Sequence, residues 1–238
     1  MNINQIIKYE GHTFVVTSVD VFPDGEHIVS SSWDRTLRAW NIASGACVQV
    51  FEGHTELVFM VKVLHDGEHF VSASGDRTLR LWNIASGICE RVFEGHTYGV
   101  YAVAVCTDGE HFVSGSWDYT LRLWNIASGT CEKIYEGHTY GVYAVAVCTD
   151  GEHFVSGSTD TDGSMDTDNT LRLWNIASGV CEQVYEGHTD AVTAVAVCAD
   201  GEHFVSASGD ETLRLWQLPD CACGFDDDDI PMCKGQLN

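Results

Sequence analysis

The segment from Glu94 to Trp124 reads EGHTYGVYAVAVCTDGEHFVSGSWDYTLRLW, and near-copies of it make up most of the 238 residues of the chain. Each copy has a Gly-His pair near its start and ends at a tryptophan. The period is 42 residues, except that the fourth copy carries an eight-residue insertion. The copies start near Gly11, Gly53, Gly95, Gly137 and Gly187. The chain is therefore predicted to be an array of one supersecondary unit.

The third copy shows how one unit is expected to fold. Residues 100–106 alternate Tyr or Val with small Ala, so both faces of this strand are apolar, as a strand between two neighbouring units requires. Asp108-Gly109 predicts a tight hairpin turn, and residues 111–116, 119–124 and 130–135 follow as three further strands. Four strands per repeat of this length indicate a β-propeller blade.

At these residues the chain resembles the WD-repeat β-propeller family, over residues 2 to about 218. The dipeptide that ends each repeat differs from the Trp-Asp of that family: it is Trp-Asn in four copies and Trp216-Gln217 in the last. That Asp lies outside the buried hydrogen-bond network of the family, so the expected fold is unchanged. The resemblance implies an all-β propeller of five four-stranded antiparallel blades.

The ends of the array predict how the ring closes. Residues 3–9 align with the outermost strands of the other copies, whereas no such strand follows Trp216. We therefore expect residues 3–9 to complete the fifth blade and close the ring, as in WD-repeat proteins, which also removes a free sheet edge. Two alternatives stay open: an incomplete ring that associates with another copy, and a fragment of a longer gene product.

Two regions are expected. Residues 1–218 form the five-bladed propeller, and residues 219–238 form an acidic, disordered tail, because they contain four consecutive aspartates at 226–229 and no strand pattern.

The charge of the chain restricts its partners. There are 35 acidic and 12 basic residues, a formal net charge of −23, which repels nucleic-acid phosphates and anionic lipid headgroups. We expect a protein or peptide partner, a basic one fitting best, and neither nucleic acid nor membrane. The amino terminus lacks the pattern of a signal peptide and no stretch reaches the length of a membrane span, so a cytoplasmic location is expected, with a nuclear one open.

Ser, His and Asp recur in every copy together with the closing Trp. One hypothesis is a nucleophilic triad. The resemblance implies instead a structural network in which Trp donates to Ser, Ser to His and His to Asp. Five copies favour the structural hypothesis, because an active site is needed once. We therefore predict no enzyme activity, no catalytic residue and no cofactor. The predicted structural network consists, blade by blade, of His12, Ser30, Asp34, Trp40; His54, Ser72, Asp76, Trp82; His96, Ser114, Asp118, Trp124; His138, Ser156, Asp168, Trp174; and His188, Ser206, Asp210, Trp216.

The insertion in the fourth copy, residues 159–170, is rich in aspartate. Asp160, Asp162 and Asp166 with Gly163 contain a fragment of a calcium-loop pattern, but the terminal Glu of that pattern is missing and Asp168 belongs to the predicted network. A solvated loop without a metal is the favoured interpretation, and a calcium site is the alternative.

Positions at which the copies differ are free to bind a partner. WD-repeat proteins commonly bind partners on their narrower face, and the matching positions here are rich in aromatic residues. Aromatic clusters are typical of protein-binding hot spots and also suit cationic side chains. The alternative is that Tyr101 and Tyr143 only fill the central channel. The predicted partner-binding residues are Phe14, Thr17, Trp33, Phe59, Tyr98, Tyr101, Trp117, Tyr140 and Tyr143.

The function expected from these features is a non-catalytic interaction scaffold or adaptor. Two alternatives belong to other classes: a propeller, with or without enzyme activity, that binds a small ligand or calcium in its channel or at loop 159–170, and a self-associating structural propeller.

Overall fold

Five antiparallel sheets follow one another along the chain. The structure is a computed structural model. It describes residues 7–159 and 168–219, together with the backbone of residues 224–225 and 231–232. The first four sheets contain four strands each and the fifth contains three, always in sequence order. This confirms the predicted all-β architecture of successive antiparallel blades.

The strands are short and recur at the same place in each repeat. Blades one and two contain β1 (Val16–Val21), β2 (His27–Ser32), β3 (Leu37–Asn41), β4 (Cys47–Phe51), β5 (Val58–Val63), β6 (His69–Ser74), β7 (Leu79–Asn83) and β8 (Cys89–Phe93). Blades three and four contain β9 (Val100–Val105), β10 (His111–Ser116), β11 (Leu121–Asn125), β12 (Cys131–Tyr135), β13 (Gly141–Val147), β14 (His153–Thr159), β15 (Leu171–Asn175) and β16 (Cys181–Tyr185). Blade five contains β17 (Val192–Val197), β18 (His203–Ser208) and β19 (Leu213–Gln217).

The turn between the first two strands of each blade is built by an Asp-Gly-Glu-His sequence. In blade one, Asp24 Oδ1 accepts hydrogen bonds from the backbone of Glu26, at 2.8 Å, and of His27, at 3.0 Å. Gly25 has a φ of 70°, a left-handed conformation that glycine adopts without a steric penalty. The short side chain of Asp and the missing Cβ of Gly together make the hairpin tight.

The hydrophobic core lies between blades. At the first junction Leu37 and Phe51 of blade one pack in one cluster with Val61, Phe70 and Trp82 of blade two. The same repeat positions form the other three clusters, between blades two and three, three and four, and four and five. Blades two, three and four each bury one face against the blade before and the other against the blade after, which explains the apolar pattern on both faces of their strands.

The outward faces of the first and last blades are exposed. Leu213 of blade five is 73% exposed, whereas Leu171, at the same position of blade four, is 1% exposed. Val19 of blade one is 57% exposed, whereas Val61 in blade two is fully buried. Within residues 7–159 and 168–219, no strand pairs with the outer side of β19. Closure of the ring by residues 3–9 stays a prediction, and residues 1–6 lie outside the described part of the chain.

The predicted tail and the Asp-rich loop are mostly outside the described residues as well. Within the tail the structure describes one pair of two-residue strands, β20 (Gly224–Phe225) and β21 (Pro231–Met232). The predicted disorder of the rest of 220–238 and the calcium alternative for residues 160–167 are therefore not addressed. Among the segments that are described, no helix has the length and apolar character needed to cross a membrane.

Candidate functional site

In every blade a chain of hydrogen bonds joins the second and third strands to the loop before the first strand and to the loop between the second and third strands. In blade two, Trp82 Nε1 donates to Ser72 Oγ at 2.8 Å, Ser72 Oγ lies 2.7 Å from His54 Nε2, and His54 Nδ1 lies 2.8 Å from an oxygen of Asp76. The other four blades repeat these contacts with their own Trp, Ser, His and Asp, at 2.7 to 2.9 Å. Since Asp accepts only, His donates through Nδ1 and accepts from Ser at Nε2.

The aspartate at the end of this chain organises the loop between the second and third strands. Asp76 Oδ2 also accepts from the backbone of Thr55 at 3.0 Å, and its Oδ1 accepts from the backbone of Thr78 at 3.0 Å and from the Thr78 hydroxyl at 2.7 Å. These bonds hold Arg77 at a φ of 72°, an uncommon conformation for a side chain of its size. The network thereby fixes the conformation of the loop between the second and third strands, which in blades one and three carries the predicted partner-binding residues Trp33 and Trp117.

The protonation states follow from burial and hydrogen bonding. Burial lowers the pKa of His54 more than the neighbouring Asp76 raises it, so the imidazole is neutral at physiological pH. For Asp34, burial raises the pKa, but hydrogen bonds from Thr36, His12 and the backbone outweigh it and lower the pKa to about 2. Neutral His and charged Asp are the states that this hydrogen-bond pattern requires.

The serine of the network is poorly placed for nucleophilic chemistry. Ser72 and Ser114 are fully buried, and each hydroxyl already contacts a Trp Nε1 and a His Nε2. A nucleophile must reach its substrate, and these oxygens have no open side. The arrangement therefore favours a role in joining strands within the blade.

Three aromatic rings stack across three successive innermost strands. Phe59 of β5 lies over Tyr101 of β9, with ring centroids 4.2 Å apart, and Tyr101 lies over Tyr143 of β13, at 4.4 Å. Trp117 meets Tyr101 edge to face at 6.2 Å. We call Phe59, Tyr101 and Tyr143 the aromatic ladder. Burial raises the pKa of both tyrosines, so the ladder carries no charge at neutral pH.

Trp117 keeps its position because a glycine lies beneath it. A Cβ added to Gly141 would overlap Cδ1 of the Trp117 ring and would lie 2.9 Å from its Nε1. The indole is nevertheless 38% exposed, so it is both packed and accessible. The pairing of a large residue in blade three with a glycine in blade four fixes the ring beside the ladder.

The other predicted partner-binding residues lie in separate groups. Phe14 and Trp33, which are 67% and 41% exposed, line a cavity of about 280 Å³ together with Leu57. Tyr140 lies near Tyr119, with ring centroids 6.0 Å apart.

Two predicted residues lie outside these groups. Tyr98 is 60% exposed, and no ring contact is recorded for it within the described segments. The Thr17 hydroxyl lies 2.7 Å from the carbonyl oxygen of Val58, a bond between blades one and two.

Two features were missed by the reasoning from sequence. The first is Tyr119, which is 43% exposed and has a φ of 70°. The copies differ at this position, with Arg35, Arg77 and Glu211 in other blades, and this variation could have marked it as a candidate binding residue. A second histidine also recurs in every copy.

In blade two this second histidine, His69, lies 2.7 Å from an oxygen of Asp66 through Nδ1 and 3.2 Å from an oxygen of Glu90 through Nε2. The repeated Asp-Gly-Glu-His sequence could have revealed it.

Comparison with known proteins identifies the repeat. The family model described as "WD domain, G-beta repeat" matches residues 3–41, 45–83, 87–125, 129–175 and 179–217. Within the family, the chain is similar to proteins named "Ribosome biogenesis protein BOP1 homolog". The protein of Drosophila grimshawi is 52% identical over 43 residues, which is 18% of this chain and 6% of that protein. The protein of Drosophila erecta is 51% identical over 41 residues, or 17% of this chain and 5% of that protein. The chain thus aligns with about 6% or less of the length of these curated relatives.

Proposed function

Because the chain belongs to the WD40-repeat family, we propose that it is a non-catalytic scaffold or adaptor that binds a peptide or protein through its aromatic residues. The aromatic ladder is the observation that carries this proposal. It is a pre-organised, uncharged surface in which three rings support one another, so little side-chain entropy is lost on binding. Rigid aromatic residues of this kind are those that most often dominate binding energy.

The proposed partner is basic. A net charge of −23 attracts cationic segments and accelerates their encounter with the chain. A Lys or Arg side chain can also lie against the face of a Tyr or Trp ring. Trp117 and Tyr98 offer such faces, since 38% and 60% of their surface is exposed. The partner that fits best is a peptide with one or more basic residues beside an apolar anchor.

We place the propeller repeats in residues 1–218 and the protein in the cytoplasm, with residues 3–9 as the missing fourth strand of a fifth blade, of the same chain or of a second copy. The similarity to the BOP1 homologues spans about one repeat, so it supports a protein-binding role and does not extend to ribosome biogenesis.

The experiment is a selection of peptides from a random displayed library on the immobilised chain, followed by calorimetry of the selected peptides in solution. Tyr101→Ala removes the central ring of the ladder and is expected to weaken binding by roughly thirtyfold, the effect of a hot spot of about 2 kcal/mol. Tyr101→Phe keeps the stacking and should bind nearly as well as the original chain.

A matched control is Ile88→Ala, which removes a side chain that is 60% exposed in the turn between β7 and β8. It should leave the affinity unchanged. If Tyr101→Ala is folded and binds every selected peptide as tightly as the original chain does, the ladder is not the binding surface.

A further inference from the structure

The four internal junctions bury the same positions in every blade. On the side facing the next blade, Leu37, Leu79, Leu121 and Leu171 are at most 1% exposed. On the side facing the preceding blade, Val58, Val100, Val142 and Val192 are fully buried. One blade-to-blade interface is therefore repeated four times, and its two halves have distinct residues.

Each end of the array presents one half of this interface without the other. The blade-five face consists of Val205, Leu213 and Leu215, and its two leucines are 73% and 66% exposed. The blade-one face consists of Val16, Val19, Ile28 and Trp40. Val16 and Val19 are 52% and 57% exposed, and all four residues line a cavity of about 610 Å³. Exposed apolar surfaces of this kind usually mark an interface.

Tyr9 shows which strand is expected on the blade-one face. Its hydroxyl donates to the carbonyl oxygen of Ile42 at 3.1 Å, as the Tyr135 hydroxyl of β12 donates to that of Ile176 at 3.0 Å. Tyr9 therefore occupies the place that the last residue of a preceding blade occupies at an internal junction. In blade four that residue is Tyr185, and it is the register partner of Leu171. By the same register Tyr9 belongs opposite Leu213.

Thr193 places a hydroxyl at the blade-five end where an internal junction has a hydrogen bond between blades. At the first junction the Thr17 hydroxyl donates to the carbonyl oxygen of Val58 in the next blade. Thr193 stands at the repeat position of Thr17, and Val16 stands at that of Val58. The Thr193 hydroxyl donates to the carbonyl oxygen of Ala207 at 3.3 Å within one chain, and it would turn from that oxygen to the carbonyl of Val16 in a second copy. The two end faces thus match in apolar residues and in the groups that this hydrogen bond needs.

The two faces of one chain do not meet, because the internal junctions set the angle between blades. Their core residues are packed with 0% to 7% exposure, and densely packed interfaces resist rotation. Contact between blades one and five of the same chain would require at least one of these packed junctions to change. A second copy can cover either face without altering any of them.

We propose that the blade-five face of one chain binds the blade-one face of a second copy of the same chain, head to tail, with Tyr9 of the second copy lying opposite Leu213 in β19 of the first. The interface is heterologous, so two copies leave a further pair of matching faces, and these can close a ring of two copies or add more. Because both copies are strongly acidic, association is expected to strengthen with salt.

The test measures mass in solution by light scattering at several protein and salt concentrations. The 238-residue chain is expected to show at least twice its mass of 26.1 kDa. Val19→Glu disables the blade-one face and Leu213→Glu the blade-five face, so each variant alone should be a single chain. Both changes are at exposed positions, and circular dichroism should show that the fold is kept. Val180→Glu, at a position that is 55% exposed in the turn between β15 and β16, should assemble as the original chain does.

Mixing the two variants gives the decisive result. Each keeps the face that the other lacks, so a mixture should form a one-to-one complex of two chains. The proposal is overturned if the original chain is a single folded chain at all concentrations, as closure within one chain predicts. It is overturned equally if the mixture stays monomeric, or if one variant alone still assembles, which indicates contact between like faces.

Discussion

The ring of Tyr9 meets the ring of Trp40 edge to face, with centroids 5.8 Å apart, and Tyr135 meets Trp174 at the same separation of 5.8 Å. The first pair joins the amino-terminal segment to blade one, and the second joins blades three and four. The equality of the two contacts indicates that the amino-terminal segment imitates a fourth strand. Trp40 is thereby 2% exposed although the described residues contain no blade that packs before blade one.

Replacement of Tyr9 tests this imitation. Tyr9→Ala is expected to lower the stability of the chain by about 1 to 2 kcal/mol, because the ring is only partly buried and covers Trp40. Tyr9→Phe loses only the hydrogen bond to Ile42, which contributes about 1 kcal/mol or less. The measurement is the midpoint of urea unfolding, followed by tryptophan fluorescence. Equal midpoints for Tyr9→Ala and the original chain would show that the segment does not support blade one.

Removal of a network serine is expected to lower the free energy of unfolding more in an internal blade than in the last blade. Ser72→Ala leaves Trp82 Nε1 and His54 Nε2 without their partner at a site that is fully buried, at a cost of about 2 to 4 kcal/mol. Ser206→Ala is the matched control, since Trp216 is partly exposed and water can replace the hydroxyl. Urea unfolding of both variants decides between these cases. A larger loss for Ser206→Ala would contradict the role assigned to burial.

Stability should fall as the pH decreases from 7 towards 5. Burial lowers the pKa values of His54, His96 and His138 in the folded chain, so below the unfolded value of about 6.5 the unfolded chain binds more protons. Each histidine contributes a slope of up to about 1.4 kcal/mol per pH unit. His54→Gln should reduce the slope of the unfolding free energy against pH, whatever its effect on the absolute stability.

His111 contributes to the pH dependence of the unfolding free energy with the opposite sign, so it serves as a control. Burial lowers its pKa, but Asp108 and Glu132 outweigh burial and raise it, so its contribution is present below about 6.5 and is lost as the pH rises through the folded pKa. Glu132→Gln weakens this opposing contribution and should make the slope between pH 5 and 7 steeper. A flatter slope would show that His111 is not stabilised in its charged form.

Gly141→Ala tests how Trp117 is held beside the aromatic ladder. The added methyl group overlaps the indole ring, so the ring must move, and the change should cost about 1 to 3 kcal/mol. Acrylamide quenching of tryptophan fluorescence should increase, because the displaced ring gains exposure. Gly109→Ala is not a suitable control, because Gly109 has a φ of 72°, a left-handed conformation that would strain an alanine. Gly75→Ala is better matched, because its Cβ would meet its nearest neighbours only at 3.4 Å. Equal quenching of Gly141→Ala and Gly75→Ala would contradict this account.

Much of the fold could be predicted because the chain repeats itself. The five Gly-His pairs and the closing tryptophans gave the number of blades, and the family match confirms the WD-repeat assignment. The positions of Phe59, Tyr101 and Tyr143 follow from one repeat position, which is why sequence alone could group them.

The remaining features depend on geometry that no single repeat contains. The exposure of Leu213 and Val19 reflects the angle between blades, which results from packing at four junctions together. The position of Trp117 depends on a glycine 24 residues later, in a different blade. The pairing of Tyr119 with Tyr140 requires the left-handed backbone of Tyr119, which the side chains do not reveal.

The central claim is that the aromatic ladder is a binding surface, and site-specific photo-crosslinking tests it most directly. A photoreactive phenylalanine derivative placed at Tyr101, or separately at Ile88, is irradiated with a selected basic peptide. The account predicts a crosslink from position 101 that an excess of unlabelled peptide abolishes, and none from position 88. A crosslink from position 88 without one from position 101 would place the partner on the outer edge of the blades and contradict the claim.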